Sequence, residues 1–113
     1  MDQLDCYRER VKDFLTDYAT LMNSQPVQDL ETVLLFDDEH SQYMLLKVGW
    51  PHGRRVRQAL LHVAIRNNKI WVEEDLTEES IATYLIQHGV PGEDIVLGFQ
   101  PPQMRQFTEF ATA

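Results

Sequence analysis

Residues 55–74 run RVRQALLHVAIRNNKIWVEE, and their reading decides the fold. Ala59, Leu61, Val63 and Ile65 alternate with Leu60, His62 and Ala64, the period of two that belongs to a β-strand. Asn67-Asn68 follows, a pair that tolerates the positive φ of a tight hairpin turn, so Lys69 to Glu74 is expected to return as an antiparallel partner. The hairpin extends toward the N-terminus. Pro51-His52-Gly53 predicts a turn, and before it Tyr43 to Trp50 places Met44, Leu46, Val48 and Trp50 on one face of a further strand. Asp37-Asp38-Glu39-His40 is turn material. From Gln28 another strand places Leu30, Thr32, Leu34 and Phe36 on one side and Val33 and Leu35 on the other. Four strands joined by such short turns predict an antiparallel β-meander.

Outside the meander the period changes. Leu4, Tyr7, Val11, Phe14, Leu15, Tyr18 and Leu21 line one side of a helix over residues 3–22. Opposite charges three residues apart stand on its outer side: Asp5 with Arg8, Glu9 with Lys12, and Arg10 with Asp13. Asn23-Ser24-Gln25-Pro26 ends it, since the residue before proline is pushed out of helical geometry. On the C-terminal side, Thr77 followed by Glu78 and Glu79 predicts an N-cap with acids in the first turn, and Ile81, Tyr84, Leu85 and His88 form the inner side of a short helix. Gly89 suits its left-handed C′ position, Val90 the contact after it, and Pro91 blocks continuation. Ile95-Val96-Leu97 is expected as an edge strand or buried extended segment. Pro101 and Pro102 open a last helix with Met104, Phe107 and Phe110 inward. The expected class is α+β: a four-stranded antiparallel β-meander with a long N-terminal helix and one or two C-terminal helices packed on it, in a single domain over residues 1–113.

With 113 residues, 43% of them hydrophobic, the chain can close one core without a staple. Cys6 is the only cysteine, so no internal disulfide can form, which suits a reducing cytoplasm; near a helix start it is expected as a passive packing residue. The N-terminal Met1-Asp2-Gln3-Leu4-Asp5 lacks the basic flank and apolar stretch of a secretory signal, and no run of about 18 apolar residues occurs. A cytoplasmic location away from membranes is expected.

Ten basic and 18 acidic residues give a net charge of −8, which repels a phosphate backbone at long range. The cations are concentrated: Lys47 to Lys69 holds Lys47, Arg54, Arg55, Arg57, Arg66 and Lys69 without one acid. These bases either pair across strands with Glu31, Asp37, Glu73 or Glu74, or form a basic face for a phosphate or an acidic partner. Trp50 and Trp71, near arginines, either fill the core beneath the helices or offer a stacking surface for bases. The residues expected at a partner or nucleic-acid contact are Trp50, His52, Arg54, Arg55, Arg57 and Arg105.

Catalytic spacings are not found. The five glycines are scattered singly, and there is no HExxH, CxxC or nucleophile elbow. His40, His52, His62 and His88 fall on four different elements, so no metal ligand set can be read, and His62 is expected as a hydrogen-bonded structural histidine of the sheet. No catalytic group, metal or cofactor is assigned. An enzyme reading would have to rest on His62 and Arg105 sharing a cleft.

Taken together, Val48-Gly49-Trp50, Arg54-Arg55, Leu61-His62, Lys69-Ile70-Trp71, Thr77-Glu78, Gly89-Val90-Pro91, the run Glu93 to Phe99, and Arg105 through Phe107-Thr108 to Phe110-Ala111 resemble the XisI family, the excision controlling factor of the cyanobacterial fdxN element. The resemblance covers nearly the whole chain, and Glu93 to Phe99 is its most specific part. It implies an accessory protein for removal of a DNA element by a separate recombinase, encoded beside XisH, a protein with a nuclease-like fold. An XisH-like protein is therefore the expected partner, with DNA contacted only indirectly or weakly; the sequence leaves a homo-oligomer open. Where the family pattern has aspartate, glutamine and histidine, this chain has Ala64, Glu73 and Gln100, so an activity relying on those groups is not expected here. The competing expectation is direct DNA contact through the basic stretch.

Overall fold

The computed structural model describes residues 2–113; Met1, the first residue of the N-terminal stretch read above, lies outside the described residues. In chain order the elements are α1 (Gln3–Asn23), β1 (Leu30–Asp37), β2 (Gln42–Gly49), β3 (Val56–Arg66), β4 (Lys69–Asp75), α2 (Ile81–Gln87), β5 (Ile95–Leu97) and α3 (Pro102–Arg105). The class is α+β, and the sheet has five strands in sequential order where four were expected. The first four form the antiparallel meander, while β5 lies parallel to β4, Ile70 to Val72 against Ile95 to Leu97. A parallel neighbour needs a crossover, and α2 with its flanking loops supplies it. The expectation for 95–97 is met: β5 is the last strand in the sheet order, and its Ile95 and Val96 are fully buried.

Both α1 and α2 cover one face of the sheet. Tyr7, Val11, Phe14 and Leu15 of α1 and Ile81, Ala82 and Leu85 of α2 pack on Tyr43, Leu45, Leu61, Val63, Ile70, Val72 and Ile95. Burying these side chains is the main force holding the layers together, at roughly 1.5–3 kcal/mol for each large apolar group. The amphipathic helix is as predicted except at its end, where Leu21 is left exposed. The core face of β2 is Tyr43 and Leu45, so Met44, Leu46 and Val48 lie on the opposite, outer face. In β3 the strict alternation fails. Leu45 pairs with Leu61 but Leu46 pairs with Ala59, so Leu60 is a bulge and Ala59 falls on the outer face, not beside Leu61. A second bulge at Glu73 keeps Val63 opposite Val72 while His62 faces Glu74.

Trp71 lies on the outer face with Ala64, Val96 and Ala111, not beneath the helices. Its neighbours Ile70 and Val72 occupy the helix-facing positions, and alternation sends the indole the other way. Trp50 is 57% exposed and fills no core either.

Turn chemistry is met at Asn67 and Asn68, with φ of 55° and 63°. Helix α2 is capped by Ser80, whose hydroxyl accepts from the Thr83 N–H, not by Thr77. Asp75 takes Thr77 away from that role: one carboxylate oxygen accepts from the Thr77 N–H and the other from the Ile81 N–H, both at 2.9 Å. Glu78 and Glu79 thus precede the helix. His88 is exposed at its C-cap, with Nδ1 donating to the Tyr84 carbonyl at 2.8 Å. Gly89 does take positive φ, 91°, and Val90 is buried behind it. The last helix is a single turn. Met104 and Phe107 are exposed and only Phe110 of the expected trio packs on the core. Cys6 is exposed, contrary to its expected packing role. Among the described residues no helix is long and apolar enough to cross a membrane.

Candidate functional site

The β2–β3 connection gathers most of the expected contact residues. Strand β2 ends at Gly49, a position that only glycine can fill because a Cβ there would lie 2.0 Å from the Asp29 carbonyl oxygen, and the Trp50 N–H donates to that same carbonyl at 2.8 Å. The chain before β1 therefore closes over the end of β2. Pro51, His52 and Gly53 then make one 3₁₀ turn, with His52 and Gly53 at φ of 53° and 75°. The Gly53 N–H donates to the Trp50 carbonyl and the Arg54 N–H to that of Pro51. This turn presents an exposed indole, and the Arg55 guanidinium lies 5.5 Å from its centroid. His52, Arg54, Arg55 and Arg57 are exposed, and a hollow of about 220 Å³ separates His52 and Gly53 from Val27, Gln28 and Asp29.

The cross-strand pairing expected for the basic stretch is realised at Arg66 with Glu73, at 3.9 Å. Lys47, Arg54, Arg55 and Arg57 form no ion pair among the described residues. On the outside of α1, Asp5–Arg8 and Arg10–Asp13 form as expected, but Lys12 bypasses Glu9 and reaches Asp38 at 2.8 Å.

Arg105 does not join this group. Its guanidinium donates to the carbonyls of Leu97, Gly98, Gln100 and Thr112, and so binds the C-terminal segment to β5. It also lies 5.4 Å from the centroid of Trp71, with Arg66 at 3.9 Å from the same ring. This Arg66–Trp71–Arg105 stack was missed by sequence reasoning, although the alternation of Ile70, Trp71 and Val72 was the signal for it. Ala64, Glu73 and Gln100 lie around it: Ala64 pairs with Trp71, the Glu73 carboxylate lies against Gly98, and the Gln100 carbonyl takes an Arg105 hydrogen bond. His62 is engaged separately, Nε2 to the Gln42 side-chain oxygen at 2.7 Å.

A second surface, on the helical side, was also missed. A hollow of about 220 Å³ between α1 and α2 is lined by Phe14, Asp17, Tyr18, Leu21, Glu79 and Tyr84. Burial, and then the charges of Glu78, Asp75 and Glu79, push the Tyr18 hydroxyl above its ordinary pKa. Burial and the carboxylates of Asp13 and Asp17 push Tyr84 the same way, against the opposing charge of Arg10. The α1 residues lie far along the chain from Glu79 and Tyr84, and the sequence alone does not specify how α1 meets α2 and the loop before it.

The XisI protein family model matches residues 1–112. Among solved structures, a XisI-like protein from Anabaena variabilis is 40% identical, with 98% of this chain and all of that one covered and a TM-score of 0.92. The fdxN element excision controlling factor XisI from Anabaena variabilis is 38% identical, covering 99% of this chain and all of its own, with a TM-score of 0.88. No curated protein matches. A family match over this span, joined to the same helix-on-sheet fold at such identities, places the chain in the XisI family.

Proposed function

We propose that the chain is an excision controlling factor that acts without chemistry of its own, by binding a basic, XisH-like protein partner through the hollow between α1 and α2. The observation that carries this reading is the acidic, aromatic character of that hollow: Phe14, Tyr18 and Tyr84 line it together with Asp17 and Glu79, and the nearby acids Asp13, Asp75 and Glu78 outweigh the one cation acting on its tyrosines, Arg10. Aromatic side chains provide rigid contact area at an interface, and a surrounding field of one sign steers a partner of the other. The net charge of −8 acts in the same direction. The role assigned to the relative named as a controlling factor supports it as well. Co-expression with an XisH-like protein should give one co-eluting species on size exclusion, and Asp17→Lys with Glu79→Lys should separate it. Two independent peaks from the unmodified pair at micromolar concentration would sink the proposal.

A second reading is favoured by one observation, the Arg55 guanidinium over the exposed Trp50 ring, with Arg54 beside it. Such a platform can stack a base and neutralise phosphates. It requires a gel shift at low salt that weakens steeply with added salt and with Arg55→Ala. No shift at low salt rules it out.

A further inference from the structure

The two edges of the sheet are finished differently. At β5 the edge is three residues long and the C-terminal segment closes it: Ala111 bridges to Val96, and its N–H donates to the Ile95 carbonyl at 2.8 Å. At the other edge β1 runs eight residues in unbroken register with β2, without the proline, lysine or bulge that usually blunts an exposed edge. The hydrogen bond from the Trp50 N–H to the Asp29 carbonyl fixes the phase of this ladder. Glu31, Val33 and Leu35 turn their N–H and carbonyl groups toward β2, and Thr32, Leu34 and Phe36 turn theirs away from it. Among the described residues no other strand or loop bonds to those three.

Apolar side chains stand beside the open ladder. Leu21, on the apolar stripe of α1, is 59% exposed where the sheet stops at β1, and Phe36 is 41% exposed at the far end of the strand. A hollow of about 320 Å³ opens there, with Leu21, Met22 and Val27 on one side and Leu30, Thr32 and Lys47 on the other. Leu30, Thr32 and Leu34 lie on the helix side of β1, and Glu31, Val33, Leu35 and Asp37 alternate onto the outer face. Glu31 forms no ion pair among the described residues, whereas Asp37 is held by the N–H and ring nitrogen of His40.

We infer that the β1 edge receives an extended segment of a partner protein as a further, antiparallel strand, one with a basic residue opposite Glu31, β-branched residues opposite Val33 and Leu35, and a large apolar residue opposite Thr32. The free N–H and carbonyl groups of Thr32, Leu34 and Phe36 bind its backbone, and the side chain opposite Thr32 enters the hollow against Leu21, Met22 and Val27. Glu31 occupies a non-hydrogen-bonded position of the new pair, where facing side chains come closest, so a cation is favoured opposite it. Lys47, the one charged residue lining the hollow among those described, keeps cations off the helix-side positions. A second copy of β1 is the wrong strand. Antiparallel registers centred on Val33, Leu34 or Leu35 bring Asp29 to Asp37, Glu31 to Asp37, or Glu31 to Glu39, each of them twice, and the net charge of −8 on both copies adds to the repulsion. The edge is a separate surface from the acidic hollow between α1 and α2, which it touches only at Leu21.

The probe is the end-capped peptide Lys-Leu-Val-Thr-Val-Leu-Lys, added to the full chain and followed by amide hydrogen exchange in NMR spectra at about 0.1 M salt. Without it the Thr32, Leu34 and Phe36 amides should exchange freely while those of Glu31, Val33 and Leu35 are protected; with it the first three should slow at least about tenfold. A peptide N-methylated at its threonine, whose N–H faces Leu34, should bind at least about tenfold more weakly, and one N-methylated at either valine, whose N–H points away from β1, should bind as before. Glu31→Lys should weaken binding about fivefold, and a peptide with glutamate in place of its last lysine should prefer that variant to the unmodified chain. Asp17→Lys with Glu79→Lys, the change that tests the helical hollow, should leave the same three amides protected by the peptide, which distinguishes the two surfaces. Absence of binding at millimolar peptide, protection of other amides instead of these three, or equal losses from N-methylation at threonine and at valine would each overturn the inference. So would protection of the three amides before any peptide is added, which, with the mass of a dimer in sedimentation, assigns the edge to a second copy.

Discussion

The Tyr43 hydroxyl donates to Asp38 at 2.8 Å, and the same carboxylate accepts from Lys12 at 2.8 Å. A core tyrosine at the start of β2 thereby ties the β1–β2 turn to α1, and the Lys12 and Tyr43 hydrogen bonds, in that order, hold the Asp38 carboxyl below its usual pKa. Tyr43 is fully buried, so Tyr43→Phe keeps the packing and removes the bond. It should lower unfolding stability by about 1–2 kcal/mol, measured by denaturant titration at neutral pH.

Alkaline pH should act through the same residue and through Tyr7, whose hydroxyl donates to Asp94. Burial and then the carboxylate partner push each hydroxyl from 10.0 up to about 12. The unfolded chain releases these protons above about pH 10 while the folded chain keeps them, so their stabilisation is complete below that pH and lost as pH rises through about 12. Denaturant midpoints at successive pH values should fall across this window, and with a shallower slope in Tyr43→Phe. A midpoint flat to pH 12 would contradict the placement of both hydroxyls.

Asp75 organises the crossover from β4 to α2 by accepting N–H groups from Thr77 and Ile81. Asp75→Ala frees both donors and should cost about 2 kcal/mol, whereas Thr77→Ala, which leaves the Ile81 bond, should cost less. Ser80→Ala should lose about 1 kcal/mol as the true N-cap. Thermal unfolding of the three variants ranks them.

The two tryptophans should behave oppositely. Trp71→Ala opens a void between Ala64, Val96 and the Arg66 and Arg105 guanidiniums, and should cost about 3–5 kcal/mol. Trp50→Ala removes an exposed ring and should change stability by no more than about 0.5 kcal/mol. Its effect belongs to binding, read as a loss of any low-salt DNA shift. Equal stability losses would refute the assigned faces.

The sequence by itself determined the elements, because their signals are local. The period of Leu4 to Tyr18, the alternation along Leu30 to Phe36, the Asn67-Asn68 turn and the Gly89 C′ position each depend on a few neighbouring residues and backbone sterics. The family was legible for a similar reason, being carried by residue types at fixed spacing. Tertiary structure decided what depends on distant partners. Alternation shows that Trp71 opposes Ile70 and Val72 but not which side the helices will cover, and the bulge at Leu60 resets the face of Ala59 only because Leu45 must meet Leu61. Asp75 displaces Thr77 from capping through a hydrogen bond to Ile81, six residues away. The contact surfaces were decided at the same level. Five of the six expected contact residues meet at or beside the β2–β3 turn because one chain reversal holds them, while Arg105 is drawn to the carbonyls of the C-terminal segment. The acidic hollow exists only where α1 crosses α2, and a charge count along the chain cannot place Asp17 beside Glu79.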